Sequence, residues 1–389
     1  MERGSPASLR RANRLAVLRL LLNHGPMRQA EIARASHLST STVSAIVAEA
    51  RQQGLVTQTD VQTPSADRRG SAVTFNPNLG YVIGIDIGQS STRVALGDLA
   101  YQPIAVETVR SIVNLQSDEA AQRIFQAAQQ LILSAKIDDR RIIGIGISMP
   151  SPQDAVHRTI EGQQIFPGWT GDRVGQELGS LFEKPVFIEN DADAAALAES
   201  RWGAGRGVSS FLHVLTHAGI GSGIVLDGRI YRGATRRAGE IGHISVDPDG
   251  SLCYCGNRGC LQTVAGGDAV AAALRPFLGP DTTLEDVVHA TRAGDRTAHR
   301  ALHDAGRLIG RALGHVANVL NPEKIVIGGY FLLTGDAFLT PLRAEFEVSA
   351  MPGVADAMLV RSELDEDAWA RASLGIVPID LEAVQEMQE

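Results

Sequence analysis

All three cysteines of this 389-residue chain fall within eight residues, in the run Cys253-Tyr-Cys255-Gly-Asn-Arg-Gly-Cys260, and His243 stands just upstream. Three thiolates and one imidazole make a closed tetrahedral set of softer ligands, the set that suits Zn²⁺. A closed set leaves no position for an activated water, so the expected metal is structural. Glu240 lies three residues before His243. On a helical turn the two side chains share a face. A metal that holds His243 then also stiffens Glu240, and the metal loop becomes one wall of a ligand pocket. The competing reading is three unrelated reduced thiols in a loop. The clustering of every cysteine beside Gly and Asn turn residues counts against it. An odd cysteine number in a single cluster also argues against a disulfide framework.

A chain of this length holds two or three domains and buries a large core. With 21% charged and 44% hydrophobic residues it has the composition of an ordinary soluble protein. The apolar run Leu15 to Leu22 is broken by Arg19 and is too short to span a bilayer, and the N-terminus does not read as a signal peptide. The expected compartment is the cytoplasm, with no membrane partner. Net charge is −8, but it is unevenly spread. Residues 1–80 carry ten arginines against five acidic side chains, a balance of +5. The remainder carries 26 basic against 39 acidic side chains, a balance of −13. A basic head on an acidic body implies that only the head meets phosphate.

The head supports this. Leu15, Val17, Leu18, Leu20, Leu21 and Leu22 form a helical apolar pattern that His24-Gly25-Pro26 stops. A short helix over Met27–His37 should turn Ala30, Ile32 and Ala33 inward. A third helix, capped by Ser39 and closed by Gly54, buries Val43, Ile46 and Val47. Its first turn leaves Ser39, Thr40, Ser41, Thr42 and Ser44 facing outward, with Arg51 further along. That is the layout of a helix-turn-helix, whose second helix offers N-terminal polar residues to base edges and phosphates of double-stranded DNA. Two strands, near Val56 and Phe75, flank a loop with Arg68 and Arg69. They read as a wing whose tip reaches backbone or minor groove. A small helical interaction module would share three helices and a hairpin. The local charge, the hydroxyl-lined helix and the arginine tip favour DNA.

Beyond the turn-rich segment Asn76–Gly80 the chain alternates strands and helices, an α/β pattern. Strands are expected at Tyr81–Leu96 (two, around a tight turn), Arg141–Pro150, Pro185–Asp191, Phe211–Leu215 and Lys324–Gly329. Helices are expected over 116–136, Ala192–Trp202, much of 262–320, and Ala368–Ile376, the last returning to the first lobe. Thr216–Gly223 reads as a glycine turn between strands. Because no helix opens at its third glycine it is not a dinucleotide fingerprint. Such a turn either approaches phosphate through backbone N–H groups or is a plain hairpin. Asn190-Asp191 closes a strand, where it can bind a ligand or simply cap the next helix, and the two roles are compatible.

Three segments together resemble the ROK family of repressors and kinases, in its branch of sugar-responsive DNA-binding regulators. They are Glu189-Asn-Asp-Ala-Asp-Ala-Ala-Ala-Leu-Ala-Glu199, Ala238-Gly-Glu-Ile-Gly-His243, and Cys253-x-Cys255-Gly-x-x-Gly-Cys260-Leu261. The likeness covers essentially the whole chain from about Ala12. It implies an α/β fold: a winged helix-turn-helix over 1–78, then a two-lobed actin-like domain of the sugar-kinase type over 79–389. Lobe one would span about 79–191 plus a C-terminal helix over 366–389. Lobe two would span about 192–365 and carry the zinc site. The resemblance implies sugar contacts from Asn190, Asp191, Glu240 and His243, and zinc held by His243, Cys253, Cys255 and Cys260. Gln262 stands where the family commonly has glutamate, and Ser151 where glycine is common, so both bear on which sugar is accepted.

In family kinases the residue matching Asp191 is the general base of phosphoryl transfer. The turns that would hold phosphate depart from the kinase pattern here. Gly88-Gln89-Ser90 replaces Gly-Gly-Thr, His217-Ala218-Gly219 replaces Gly-Thr-Gly, and Gly328-Gly329 is followed by bulky Tyr330-Phe331 near the expected adenosine position. The resulting expectation is a non-enzyme: a repressor of carbohydrate-utilisation genes, released from its operator by a sugar or sugar derivative. A homodimer, or a pair of dimers, would read a pseudo-palindrome. The rival is an ATP-dependent sugar kinase that carries a DNA-binding head. A third reading is a regulator that senses a protein partner.

Overall fold

The structure is a computed structural model and describes residues 6–61, 70–88, 91–110, 112–150, 173–364 and 368–386. The head consists of α1 (Pro6–His24), α2 (Gln29–Ser36), α3 (Thr40–Gln52) and an antiparallel hairpin of β1 (Val56–Val61) with β2 (Gly70–Phe75). His37 takes a left-handed conformation after α2, φ 56°, and starts the turn into α3. Ser39 Oγ then accepts the Thr42 N–H at 3.1 Å, which caps α3. Ile32, Ala33, Val43, Ile46, Val47 and Ala50 are buried together. Ala30, expected inward, is exposed. It lies two residues before Ile32, and residues so spaced do not share a helix face.

The body repeats one topology. The first sheet contains β3 (Tyr81–Ile87), β4 (Ser91–Asp98), β5 (Pro103–Arg110), β6 (Ile142–Met149) and β7 (Val186–Asn190), in the order β5-β4-β3-β6-β7. Between its strands run α4 (Ser117–Ser134) and α5 (Arg173–Phe182). The chain then crosses through α6 (Asp191–Trp202) to β8 (Phe211–Thr216), β9 (Ile220–Leu226) and β10 (Arg229–Ile230). Four helices follow: α7 (Leu261–Ala265), α8 (Gly267–Leu278), α9 (Leu284–Arg292) and α10 (Arg296–Leu320). After them come β11 (Lys324–Gly329), α11 (Asp336–Ser349) and β12 (Met358–Arg361). The second sheet has the order β10-β9-β8-β11-β12.

In each sheet the first three strands pair antiparallel and the last two add parallel. The doubled topology is the two-lobed actin-like arrangement. Central β8 buries all six of its residues, whereas edge strand β5 alternates half-buried and exposed residues, as expected for strands covered on two faces and on one.

The glycine turn is shorter than its sequence implies. It occupies His217–Gly219, closed by the His217 N–H on the Gly219 carbonyl at 3.0 Å. Gly221 and Gly223 lie inside β9. A Cβ at Gly223 would stand 2.5 Å from the Ala196 Cβ, so the missing side chain is what lets the Ala-rich α6 rest directly on the strand.

The C-terminal segment is two helices, not the single lobe-one helix expected over 366–389. The first, α12 (Ala368–Leu374), packs on β3, β4 and β6. Its seat is made of glycines: a Cβ at Gly84 would lie 2.5 Å from Ser373 Oγ, and one at Gly97 would lie 2.6 Å from Leu374 Cδ1. Pro378 prevents continuation, and Asp380 Oδ1 accepts the Glu382 N–H at 2.9 Å to start α13 (Leu381–Glu386). This second helix joins the head. Leu381 and Val384 are buried in one cluster with Leu15, Leu18, Leu21, Leu79 and Leu99, and Arg11 pairs with Glu382 at 2.7 Å. Among the described residues no helix is long and apolar enough to cross a membrane.

Candidate functional site

A cleft of about 810 Å³ is lined by residues of both lobes, and Asn190, Asp191, Glu240 and Gln262 all line it. Asn190 ends β7 and caps α6: its Oδ1 accepts the Ala192 N–H at 2.9 Å. Asn190 therefore both caps α6 and lines the cleft. Asp191 opens α6, and its Oδ1 accepts the same N–H at 2.8 Å. Burial pushes the Asp191 carboxyl up to about 6. Asp86, from the end of β3, lines the same cleft. Burial, then the charge of Asp191, pushes it up to about 7. Burial and Asp191 also push Glu240 up. Several carboxyls that share one cleft accept or donate hydrogen bonds to hydroxyl groups as their protonation allows.

The segment that carries Glu240 is tied to the other lobe. Glu189, buried beside Asn190, accepts from Arg232 Nε at 2.9 Å and from Arg236 Nη2 at 2.8 Å. Both arginines lie on the loop that leads from β10 to Glu240. Gly239, φ +90°, packs against the Ser222 backbone, where any side chain would collide, and its carbonyl accepts from Ser222 Oγ at 2.7 Å.

Glu240 and His243 flank a single 3₁₀ turn (Ile241–His243), and their side chains approach to 3.8 Å. The ligand atoms of His243, Cys253, Cys255 and Cys260 all lie within 4.8 Å of one another. His243 Nδ1 is 3.6 Å from Cys253 Sγ, and Cys255 Sγ is 3.6 Å from Cys260 Sγ. Ligands at roughly 2.0–2.3 Å from a tetrahedral ion stand at about such separations, so the four residues are close enough to hold one metal. Burial and the neighbouring thiols push the Cys260 thiol up to about 12, which makes a thiolate there dependent on a nearby cation. The loop reaches this shape through Gly256 and Gly259, both at positive φ, and a side chain at Gly259 would run into Asp247.

His243 presents its Nδ1 edge to the cysteines and its Nε2 edge to Glu240 and to Tyr254, whose hydroxyl is 3.2 Å away. Tyr254 lines the cleft. Sequence reasoning passed over it, although an aromatic residue inside Cys-x-Cys is a readable signal. Gln262 Nε2 donates to Cys253 Sγ at 3.5 Å, so Gln262 touches both the cysteine cluster and the cleft. Ser151 lies outside the described residues.

The opposite wall differs from expectation in one respect. Tyr330 lines the cleft and meets the His217 ring edge-to-face, centroids 4.9 Å apart. Phe331 does not face the cleft. It is fully buried against Phe338 in the lobe-two core, because the 3₁₀ turn after β11 sends adjacent side chains in different directions.

On the head, Thr40, Ser41, Ser44 and Arg51 are exposed and Thr42 is partly so. Ser39 serves as the cap and also bonds the Ser41 and Thr42 hydroxyls, at 2.9 and 2.7 Å. Arg51 sits in the last turn of α3, away from the hydroxyl cluster of the first. Arg68 and Arg69 lie outside the described residues.

Comparison with known proteins agrees with this anatomy. The profile of the ROK family matches residues 82–374, and that of the MarR family matches residues 9–70. The DNA-binding transcriptional dual regulator NagC of Escherichia coli K12 is 28% identical over 374 residues, 93% of this chain and 91% of that protein. The xylose repressor of Bacillus subtilis strain 168 is 25% identical over 370 residues, 95% of each. The crystal structure of a ROK family transcriptional regulator, a homologue of the E. coli MLC protein, superposes with TM-score 0.78 at 26% identity and covers 98% of both chains. The ROK hexokinase from Thermus thermophilus gives TM-score 0.64 at 29% identity and covers 76% of this chain and 97% of its own. The kinase-like body is therefore shared with enzymes, the full-length layout is shared with regulators, and the chain belongs to the ROK family.

Proposed function

We propose that this protein is a DNA-binding transcriptional repressor whose grip on its operator is released when a sugar or sugar derivative occupies the interlobe cleft. The observation that carries this reading is the head's core. It is completed by Leu381 and Val384 of α13, whose neighbour α12 packs on α6, and α6 begins at Asn190 and Asp191 in the cleft. One continuous path of packed elements thus joins ligand to DNA reader. An effector acts along it only through its different affinity for the two conformations of the body.

In this reading residues 1–78 form the DNA-binding unit and 79–389 the sensing unit. Ser39, Thr40, Ser41, Thr42, Ser44, Arg51, Arg68 and Arg69 serve the operator. Asn190, Asp191, Glu240, His243, Gln262 and Ser151 serve the sugar. His243, Cys253, Cys255 and Cys260 would hold a structural Zn²⁺ that stiffens the turn carrying Glu240. The protein works as a cytoplasmic homodimer on two half-sites.

It is not an enzyme in this reading. By sequence, Gln89 (outside the described residues), Ala218 and Tyr330 fall where family kinases carry glycine, a hydroxyl-bearing residue and a small residue. The test has two arms. Sugars that raise the melting temperature are added to the protein bound to operator DNA, and release is expected. The protein is also incubated with ATP, Mg²⁺ and the same sugars, and no ADP is expected. Sugar-dependent ADP formation that Asp191→Asn abolishes would overturn the non-enzyme assignment. Binding of sugar without any change in operator affinity would overturn the regulatory one.

A further inference from the structure

The cleft is larger than one sugar ring requires. Its volume of about 810 Å³ lies near the top of the roughly 300–1,000 Å³ range that encloses drug-sized ligands. Asn190, Asp191 and Glu240 belong to β7, the start of α6 and the metal-loop turn. A second wall comes from other elements: His217 after β8, Asp268 at the start of α8, Tyr330 after β11, and Trp369 on α12.

The part of this wall that belongs to lobe two is tied together, while Trp369 lines the cleft from α12 on the other lobe. The Gly267 N–H bonds the His217 carbonyl at 2.9 Å, and the Asp268 N–H bonds the Ala218 carbonyl at 3.0 Å. The His217 ring sits against Tyr330. The wall thus offers fixed aromatic surface with a carboxylate beside it. Flat rings that cover C–H faces, together with a few placed acceptors for hydroxyls, are what a sugar ring needs.

The charge of the cleft narrows the ligand further. Among the described residues four carboxyl groups line it: Asp86, Asp191, Glu240 and Asp268. Among the described lining residues Arg93 is the one cation, since burial lowers the His217 pKa and keeps that ring neutral. Of the described residues, a phosphate brought here would meet more carboxyl groups than cations, at distances well inside the range over which salt screens charge.

We propose that the effector is an uncharged glycoside of at least two sugar units. The first unit lies at Asn190, Asp191 and Glu240. The second lies against Tyr330, His217 and Trp369, with its hydroxyls on Asp268. The inference rests on the reading of this cleft as an effector site, and adds that the site takes an unphosphorylated di- or oligosaccharide.

The test is calorimetric titration of the full-length protein with glucose, xylose and N-acetylglucosamine. The 1,4-linked disaccharides of each, glucose 6-phosphate and ATP complete the panel. At least one disaccharide is expected to bind about tenfold more tightly than its own monosaccharide, a ratio worth about 1.4 kcal/mol. Tyr330→Ala should collapse that ratio toward one, and Tyr330→Phe, which keeps the ring, should preserve most of it. Equal affinity for monosaccharide and disaccharide overturns the second subsite but leaves the effector reading standing. So does a Tyr330→Ala effect that is the same on both, or tighter binding of glucose 6-phosphate or ATP. Silence toward every sugar overturns both.

Discussion

Replacing Glu189 by glutamine keeps its shape and removes its charge. In the native chain this carboxylate is 9% exposed and is held by two guanidinium groups, themselves 34% and 28% exposed. Breaking a fully buried pair from one side costs roughly 3–5 kcal/mol, whereas an exposed pair contributes about 0–1 kcal/mol. With the arginines one-third open to water, the expected loss is about 2 kcal/mol, between those limits. One neighbour moderates it. Asp193 is pushed up to about 7, first by burial and then by the charge of Glu189. With that charge gone, Asp193 ionises more readily and partly replaces it beside Arg232 and Arg236.

The consequence reaches the cleft, because Glu189 adjoins Asn190 and the two arginines lead into Glu240. Sugar affinity should therefore fall along with stability, by about tenfold if roughly 1.4 kcal/mol of positioning is lost. Urea denaturation at pH 7.5 measures the first quantity and calorimetry the second. A double-mutant cycle with Arg236→Ala isolates the pair. If Glu189→Gln unfolds within about 0.5 kcal/mol of the parent and binds sugar normally, the ion pairs do not hold the loop. The Gly239–Ser222 contact alone would then set the position of Glu240.

Three further outcomes are expected. The Asp86 carboxyl has its ordinary value of 3.8 in the unfolded chain and is pushed up to about 7 on folding, so the folded state holds the proton more tightly. The associated stability is full below about pH 4 and is lost as pH rises through about 7. Asp86→Asn should flatten the fall in the urea midpoint between pH 5.5 and 8, and parallel profiles for parent and variant would refute the assignment. Cys255→Ser should empty the metal set and weaken sugar binding before DNA binding. Elemental analysis that finds undiminished zinc in the variant would remove Cys255 from the ligand set. Leu381→Ala, at a site 3% exposed, should destabilise the head by roughly 2–5 kcal/mol, read as faster hydrogen exchange in α1. Unchanged exchange there would mean that α13 does not support the head.

The sequence alone determined the parts whose logic is local. Cysteine spacing marks a candidate ligand set because a short loop can bring its thiols together, and the fold does bring them and His243 close enough to hold one metal. Apolar periodicity marks α1 to α3, and Ser39 marks a cap, because a helix is specified by residues three or four apart. The strand-helix alternation and the three family segments established the two-lobed class.

What only the tertiary structure decided are the meetings between distant segments. Asp86 and Asp191 share one recess, Glu189 clasps Arg232 and Arg236, and Tyr330 leans on His217 while Phe331 turns away. The last helix leaves lobe one for the head. A sequence shows which face of an element is apolar or charged, but not which partner that face will find, since the partner is chosen by the packing of the whole chain. Even the glycines of β3, β4 and β9 read as turns or weak strand formers until α12 and α6 are seen resting where their side chains would have been.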